Sequence, residues 1–134
     1  MFGAQSGVLS FETVGGRQPL VLHESADADA VTVLVAPALG IKAGYYRKLC
    51  NQLAEAGINA AVVDQPGAGE SPARARRGID WGYDELAEHY RSALRALEAA
   101  GHQRLFLLGH SIGGQAGLMI TGEQMPSLQG VVVV

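Results

Sequence analysis

The chain has 134 residues, of which 48% are hydrophobic and 17% charged, values typical of a single globular domain. A formal net charge of −3 argues against a nucleic-acid partner, because such a partner needs a clustered basic surface. The single cysteine excludes an internal disulfide, and because no segment has the pattern of a signal peptide or a membrane span, we expect a cytoplasmic protein with no membrane partner.

Two alternating apolar runs open the chain and predict an antiparallel hairpin. They are GVLSFETV (residues 7–14) and PLVLHE (residues 19–24), and the segment GGRQP connects them. Four continuous apolar runs further along the chain predict strands of a parallel sheet, and the first three are expected to be buried on both faces. These runs are VTVLVAP (31–37), INAAVVD (58–64), RLFLLG (104–109) and LQGVVVV (128–134).

Three helices are predicted between the buried strands. The segment AGYYRKLCNQLAEAG (43–57) has apolar residues near helical spacing, and a longer helix over about residues 84–100 has an apolar stripe of Leu86, Tyr90, Leu94 and Leu97. The segment IGGQAGLMITG (112–122) is the third helix. Alternating strands and helices with short connections predict an α/β fold with a mostly parallel sheet.

The last predicted strand ends in four valines, Val131, Val132, Val133 and Val134. A domain that ended inside this strand would leave an exposed apolar sheet edge, which proteins normally avoid. We therefore expect residues 1–134 to be the N-terminal portion of a single domain that is truncated at its sixth strand. A C-terminal portion or another chain is expected to cover the Val131–Val134 edge.

A serine lies between two glycines, Gly109 and Gly113, where the predicted third buried strand meets the following helix. The spacing G-x-S-x-G alone is weak evidence, because 18 glycines make a chance match easy. Its position is stronger evidence, since a nucleophilic serine needs a sharp strand-to-helix turn that only small neighbours allow. The sequence therefore predicts Ser111 as the nucleophile, and an ordinary glycine-rich turn is the alternative.

Two backbone amides are candidates for stabilising an oxyanion next to this serine. The Ile112 amide follows the serine directly, at the start of a helix, where the first N–H groups are unpaired. The Leu39 amide lies in the loop APALGIKAG after the first buried strand, where the second donor of such a site is expected. An ordinary strand-to-helix loop is the alternative for the second segment.

Three segments in this order, APALG, DQPGAGES and GHSIGG, resemble the α/β-hydrolase superfamily, and within it the serine aminopeptidase and esterase-like hydrolases. The resemblance implies helices on both faces of the sheet and an elbow shaped by Gly109, His110, Gly113 and Gly114. It also implies hydrolysis of a small-molecule ester, amide or short peptide through an acyl-enzyme at Ser111, without a metal or an organic cofactor. Pro37 and Ala38 stand where the family commonly has His-Gly, so the loop geometry is less predictable.

The acid and base of the family's triad follow its seventh and eighth strands, beyond the last predicted strand of this chain. No histidine in the sequence is assigned as the base. His110 adjoins the serine, but neighbouring side chains at an elbow diverge, so we predict a structural role, and His89 is predicted to be at the surface or half-buried. Asp64 is predicted to order its own loop. These 134 residues alone are therefore expected to be inactive or very weakly active.

Two other function classes are considered. A non-catalytic α/β-hydrolase-like binding module has the same fold signals, because a fold does not fix a function. A nucleotide-binding domain is disfavoured, since Pro72 stands where the third glycine of G-x-G-x-x-G is expected and no G-K-[ST] segment occurs.

Overall fold

The computed structural model describes residues 5–74, 77, 81–121 and 125–134 of the chain. In these residues six strands form one sheet: β1 (Gln5–Thr13), β2 (Gly16–Glu24), β3 (Thr32–Ala36), β4 (Asn59–Val62), β5 (Leu105–Gly109) and β6 (Leu128–Val133). A short 3-10 helix (Ala43–Tyr46) leads into α1 (Arg47–Glu55), and the other helices are α2 (Tyr83–Ala99) and α3 (Ile112–Ile120).

The strands lie in the order β1-β2-β4-β3-β5-β6. β1 pairs with β2, and β2 with β4, in the antiparallel direction, whereas β4, β3, β5 and β6 are parallel to one another. The predicted fold class, a mostly parallel sheet with an antiparallel N-terminal hairpin, is confirmed. Because β3 has β4 on one side and β5 on the other, the chain order reverses at β3. Ligands of open α/β sheets bind at the carboxyl ends of strands at such a point.

Helices cover both faces of the sheet, as the resemblance implied. Adjacent residues of β3 point to opposite faces: Leu34 packs in the core that includes α2 and α3, and Val35 packs in the core beneath α1. Cys50 on α1 is fully buried in the second core, and burial raises the pKa of its thiol to about 11. This thiol is therefore protonated at neutral pH and is not a nucleophile.

The hairpin connection is shorter than the predicted segment GGRQP. β2 begins at Gly16, so the turn consists of Val14 and Gly15 alone. Gly15 has a φ of +84°, which a residue with a side chain rarely adopts, and this allows the tight reversal. Pro19 consequently lies within β2, but outside the stretch Val21–His23 that pairs with β4, where its missing N–H would break a ladder bond.

None of the described helices is both long and apolar enough to cross a membrane. Within the same described ranges, no three or more His, Cys, Asp or Glu side chains are grouped so that they could hold a metal ion.

Candidate active site

Ser111 occupies a strained turn between the end of β5 at Gly109 and the start of α3 at Ile112. Its backbone has φ 57° and ψ −118°, and it is the only non-glycine residue with a positive φ in the described part of the chain. Such a conformation costs on the order of 1–3 kcal/mol and persists only where the surroundings impose it. The backbone at Ser111 is therefore held in a conformation that a serine would not adopt in an unconstrained loop.

Glycines around the turn remove side chains that would clash with it. A Cβ atom on Gly109 would lie 2.3 Å from the Cα atom of Gly114, and one on Gly113 would lie 2.2 Å from the carbonyl oxygen of Ala36 in β3. A Cβ on Gly114 would lie 2.6 Å from a methyl group of Val133 in β6. The close approach of α3 to β3, β5 and β6 therefore requires glycine at these three positions.

The Ser111 side chain is exposed and does not cap the helix that follows it. Serine at the N-cap of a helix usually accepts a hydrogen bond from an amide in the first turn, with an extended backbone. Ser111 is the N-cap residue of α3, but it makes no side-chain cap hydrogen bond. The unusual backbone conformation thus withdraws the hydroxyl from its ordinary structural use and leaves it available to a ligand.

The two predicted oxyanion donors border one cleft. Leu39 and Ile112 both line a cavity of about 240 Å³, together with the side chains of Pro66, Trp81 and Leu86. Within the described ranges, neither the Leu39 nor the Ile112 amide donates a hydrogen bond to another group of the chain. Ile112 is the first residue of α3, so the positive end of the helix dipole lies at the cleft.

Side chains from neighbouring elements fix the loop after β3 that carries Leu39. Gln65, at the carboxyl end of β4, donates its side-chain N–H to the Pro37 carbonyl oxygen at 2.7 Å. The Tyr46 hydroxyl accepts the Ala38 amide N–H at 2.9 Å, and the Ala38 carbonyl accepts the Ile41 amide at 3.1 Å. Both peptide groups of residues 37–39 are thereby held through other atoms, and the Leu39 N–H has no partner among the described residues.

His110 connects the elbow to this loop and not to the serine hydroxyl. Its backbone N–H donates to the Ala36 carbonyl at 3.0 Å, and its Nδ1 lies 2.8 Å from the Tyr46 hydroxyl. The predicted structural role of His110 agrees with these contacts. The serine backbone is anchored separately, because the Ser111 N–H donates to the Val134 carbonyl at 3.0 Å.

Asp64 orders its own loop, as predicted, and also binds the start of the 3-10 helix. One carboxylate oxygen accepts the Ala43 amide at 2.7 Å, and the other accepts the Glu70 amide at 2.9 Å. Gly69, whose φ is +50°, lets the chain fold tightly over this carboxylate, since a Cβ there would lie 2.2 Å from it. Asp64 is therefore engaged by backbone amides and is not the acid partner of a catalytic histidine within this chain.

His89 is buried, and the prediction that it lies at the surface or is half-buried was wrong. It faces β1 and β4 from α2, where its Nε2 donates to the Asp64 carbonyl at 2.9 Å and its Nδ1 bonds the Thr13 hydroxyl. Burial lowers the pKa of His89 to about 4. The apolar stripe of α2 is wide enough to include this position, and the imidazole is accepted there because both nitrogens have partners.

The buried imidazole predicts a stability that depends on pH. The unfolded chain binds a proton at His89 near pH 6.5, but the native chain does so only near pH 4, so unfolding takes up a proton between these values. We expect the free energy of unfolding to fall by about 3 kcal/mol as the pH drops from 6.5 to 4. When the free energy of unfolding is measured by urea denaturation at several pH values in this range, it should change less with pH in His89→Gln than in the unmodified protein. Equal changes with pH in the two proteins would contradict the assignment.

The sequence analysis did not identify two residues that hold the loop carrying Leu39, namely Tyr46 and Gln65. Tyr46 lies in the segment predicted to form the first helix, and its hydroxyl carries a further signal, since a buried tyrosine usually finds a polar partner. Gln65 directly follows Asp64 at the carboxyl end of a buried strand, where polar side chains reach the site edge. Neither partner was deducible from the sequence, because both contacts join segments that are distant along the chain.

Comparison with protein families gives a match over most of the chain. Residues 26–134 match the family model described as serine aminopeptidase, S33. Over 116 residues the chain is 32% identical to the "Putative carbamate hydrolase RutD" of Variovorax paradoxus (strain S110). The aligned region covers 87% of this chain and 42% of that protein. The chain thus spans about two fifths of the length of this curated relative.

Solved structures share the fold at lower sequence identity. An α/β hydrolase from Novosphingobium aromaticivorans superposes with a TM-score of 0.75 at 19% identity, covering 99% of this chain and 44% of that one. A thermostable carboxyl esterase from Bacillus coagulans superposes with a TM-score of 0.74 at 22% identity, with the same two coverages. At these identities the likeness concerns the fold alone.

Proposed function

Since the chain belongs to the serine aminopeptidase S33 family of α/β-hydrolases, we propose that it forms part of a serine hydrolase whose nucleophile is Ser111. The observation that carries this proposal is the strained backbone of Ser111, whose exposed hydroxyl is not used as a helix cap. Strain at a residue with a reactive side chain is typical of catalytic sites. Membership of the family supports the proposal, because the segment GHSIGG around Ser111 resembles the family's elbow motif.

The proposed reaction is acyl transfer to water. The Ser111 oxygen attacks the carbonyl carbon of the substrate while a base takes the hydroxyl proton, and the carbonyl oxygen becomes an oxyanion. The free Leu39 and Ile112 amides would donate hydrogen bonds to that oxyanion. The bond to the leaving group then breaks, the leaving group receives the proton, and water releases the acyl group from the serine in a second, equivalent cycle.

We propose that the base is an imidazole from outside residues 1–134. The four histidines within the chain are engaged elsewhere. The His89 nitrogens bond Thr13 and Asp64, and the His110 side chain bonds Tyr46. His23 lies in β2, where its side chain bonds Asn51. His102 is bonded to Thr32, at the opposite, N-terminal end of β3 from the elbow. The longer relatives have sequence beyond the matched segment in which the acid and base would lie.

The substrate is proposed to be a small carboxylic ester, amide or short peptide. These groups share a carbonyl next to a heteroatom leaving group, which is the chemistry that an exposed serine and two amide donors serve. The RutD relative is named for carbamate hydrolysis, and a carbamate has the same arrangement, so carbamates belong in the substrate panel. The cleft beside the donors is lined mainly by apolar side chains, which favours substrates with a small apolar group.

Covalent labelling tests this proposal. The complete natural protein should react with a fluorophosphonate probe at one site, because the probe phosphonylates an activated serine. Ser111→Ala should abolish labelling, whereas Ser92→Ala, which removes a hydroxyl from α2, should not change it. Absence of labelling, or labelling that survives Ser111→Ala, would contradict the proposal and would favour a non-catalytic binding module.

A further inference from the structure

We propose that the Tyr46 hydroxyl is a positioning group that holds the Leu39 and Ile112 amides in register with each other. The inference rests on the function proposed above, since it concerns the geometry of the same oxyanion site. Tyr46 touches neither the reacting atoms nor the cleft. Its effect is carried through the two backbone segments that its single oxygen atom connects.

Two hydrogen bonds meet at the Tyr46 phenolic oxygen. The Ala38 amide, 2.9 Å away, is only a donor, so the tyrosine oxygen accepts its proton. The hydroxyl has one proton of its own, and the His110 Nδ1 lies 2.8 Å from the oxygen. We infer that the hydroxyl donates to Nδ1, because in this arrangement its own proton also has a partner among the described residues.

The two residues that bond the Tyr46 hydroxyl lie directly before the two segments that carry the proposed oxyanion donors. Ala38 is followed by Leu39, and His110 is followed by Ser111 and Ile112. The phenolic oxygen thus bridges the loop after β3 and the elbow after β5 at the level of the oxyanion donors. One other described bond joins these segments, from the His110 backbone to the Ala36 carbonyl, but it lies further back, at the end of β3.

The tyrosine ring is itself fixed, so its hydroxyl has little freedom to move. Only 5% of Tyr46 is exposed, and its ring packs with Val35 and Cys50 in the core beneath α1. It also contacts the His110 ring edge to face, with centroids 6.0 Å apart. The ring packs in the core, whereas the hydroxyl bonds the two segments of the oxyanion site. Tyr46→Phe therefore removes the bonds of the hydroxyl and keeps the packing of the ring.

Catalysis by hydrogen-bond donors depends strongly on their placement. Loss of one oxyanion donor lowers kcat by about 10²–10³-fold, and a displacement of about 1 Å costs about 10²-fold. Removal of the hydroxyl releases the Ala38 N–H and the His110 side chain, so that Gln65 alone holds this peptide group through the Pro37 carbonyl, while both oxyanion amides remain present. We therefore expect Tyr46→Phe to lower kcat by about 10–100-fold while KM changes by less than about threefold.

The test uses the complete natural protein and the matched variant Tyr45→Phe. Tyr45 is the adjacent residue and is 73% exposed, so loss of its hydroxyl should leave kcat and KM unchanged. A trifluoromethyl ketone substrate analogue supplies the decisive readout, because the serine adds to it and forms a tetrahedral oxyanion. Its inhibition constant should rise in Tyr46→Phe by the same factor as kcat falls, which a purely structural effect on substrate binding would not produce.

A second pair of variants addresses the other end of the bridge. His110→Asn keeps an acceptor near the Nδ1 position and should retain most of kcat, whereas His110→Ala should lose about as much as Tyr46→Phe. The double variant Tyr46→Phe/His110→Ala should be no worse than either single change, because both remove the same bridge. The comparison of His110→Asn with His110→Ala remains informative even if Tyr46→Phe folds poorly.

An unchanged kcat in Tyr46→Phe, or a fall in kcat without weaker binding of the ketone, would overturn the inference. Additive losses in the double variant would also overturn it. These outcomes are distinct from failure of the proposed function, because activity that survives Ser111→Ala would contradict the nucleophile assignment whatever Tyr46→Phe does.

Discussion

Ser111→Ala is expected to lower kcat/KM for ester hydrolysis by at least about 10³-fold, or about 4 kcal/mol of transition-state stabilisation. The loss is large because the hydroxyl forms the covalent bond to the substrate, and the remaining amides and cleft only bind it. Steady-state kinetics of the complete natural protein with p-nitrophenyl acetate and butyrate measures the effect. Ser92→Ala is the control, and a Ser111→Ala rate within tenfold of the unmodified protein would contradict the assignment.

A second substitution at position 111 distinguishes the loss of the reactive hydroxyl from the effect of backbone strain. Ser111→Gly also removes the hydroxyl, but glycine adopts a positive φ at no steric cost, whereas alanine does not. We expect the glycine variant to be inactive and about 1 kcal/mol more stable to urea than the alanine variant. At an unstrained position the order would be reversed, because glycine normally lowers the stability of the folded protein relative to alanine. Equal or lower stability of the glycine variant would show that the backbone at 111 is not strained.

Gly113→Ala is expected to destabilise the protein by about 3 kcal/mol, the upper end of the usual range for overpacking. The new Cβ would lie 2.2 Å from the Ala36 carbonyl oxygen and 2.7 Å from its carbonyl carbon. Both atoms belong to the central strand β3, which has neighbours on both sides and little room to move. Because α3 would have to shift away from β3, the Ile112 amide would move and activity would fall as well.

Urea denaturation of the complete natural protein checks the expected loss, with Gly44→Ala as the matched control. The nearest atom to a Cβ on Gly44 is the Arg47 guanidinium, 3.9 Å away at the end of a flexible side chain. That variant should change the free energy of unfolding by no more than about 0.5 kcal/mol. A Gly113→Ala protein as stable as Gly44→Ala would show that the close contact of α3 with β3 is absent.

The sequence predicted those parts of the fold whose signals are local. Continuous apolar runs located the four parallel strands to within about two residues, and glycine at positions 109 and 113 located the elbow. The length of the hairpin turn was overestimated, because GGRQP contains turn-forming residues that the pairing of β1 with β2 draws into the sheet. Turn composition indicates a reversal of the chain, but the register of the strands decides where it begins.

The contacts that complete the site could not be predicted, because they depend on how distant segments pack. The bond between Tyr46 and His110 joins residues 64 positions apart, and the bond between Gln65 and Pro37 joins residues 28 positions apart. The burial of His89 likewise depends on the placement of α2 against β1. One sequence cannot show such pairings, although the presence of polar side chains near strand ends indicated that partners would exist.

The central claim is that the Ser111 oxygen carries the acyl group during turnover. The most direct measurement is mass spectrometry of the complete natural protein, acid-quenched during hydrolysis of p-nitrophenyl butyrate and then digested. We predict a butyryl adduct on the serine of the segment LGHSIGGQAG, and its absence in Ser111→Ala. An adduct on any other residue would contradict the claim. A burst of p-nitrophenol without a detectable adduct on this serine would also contradict it, because a burst means that an acylated intermediate accumulates.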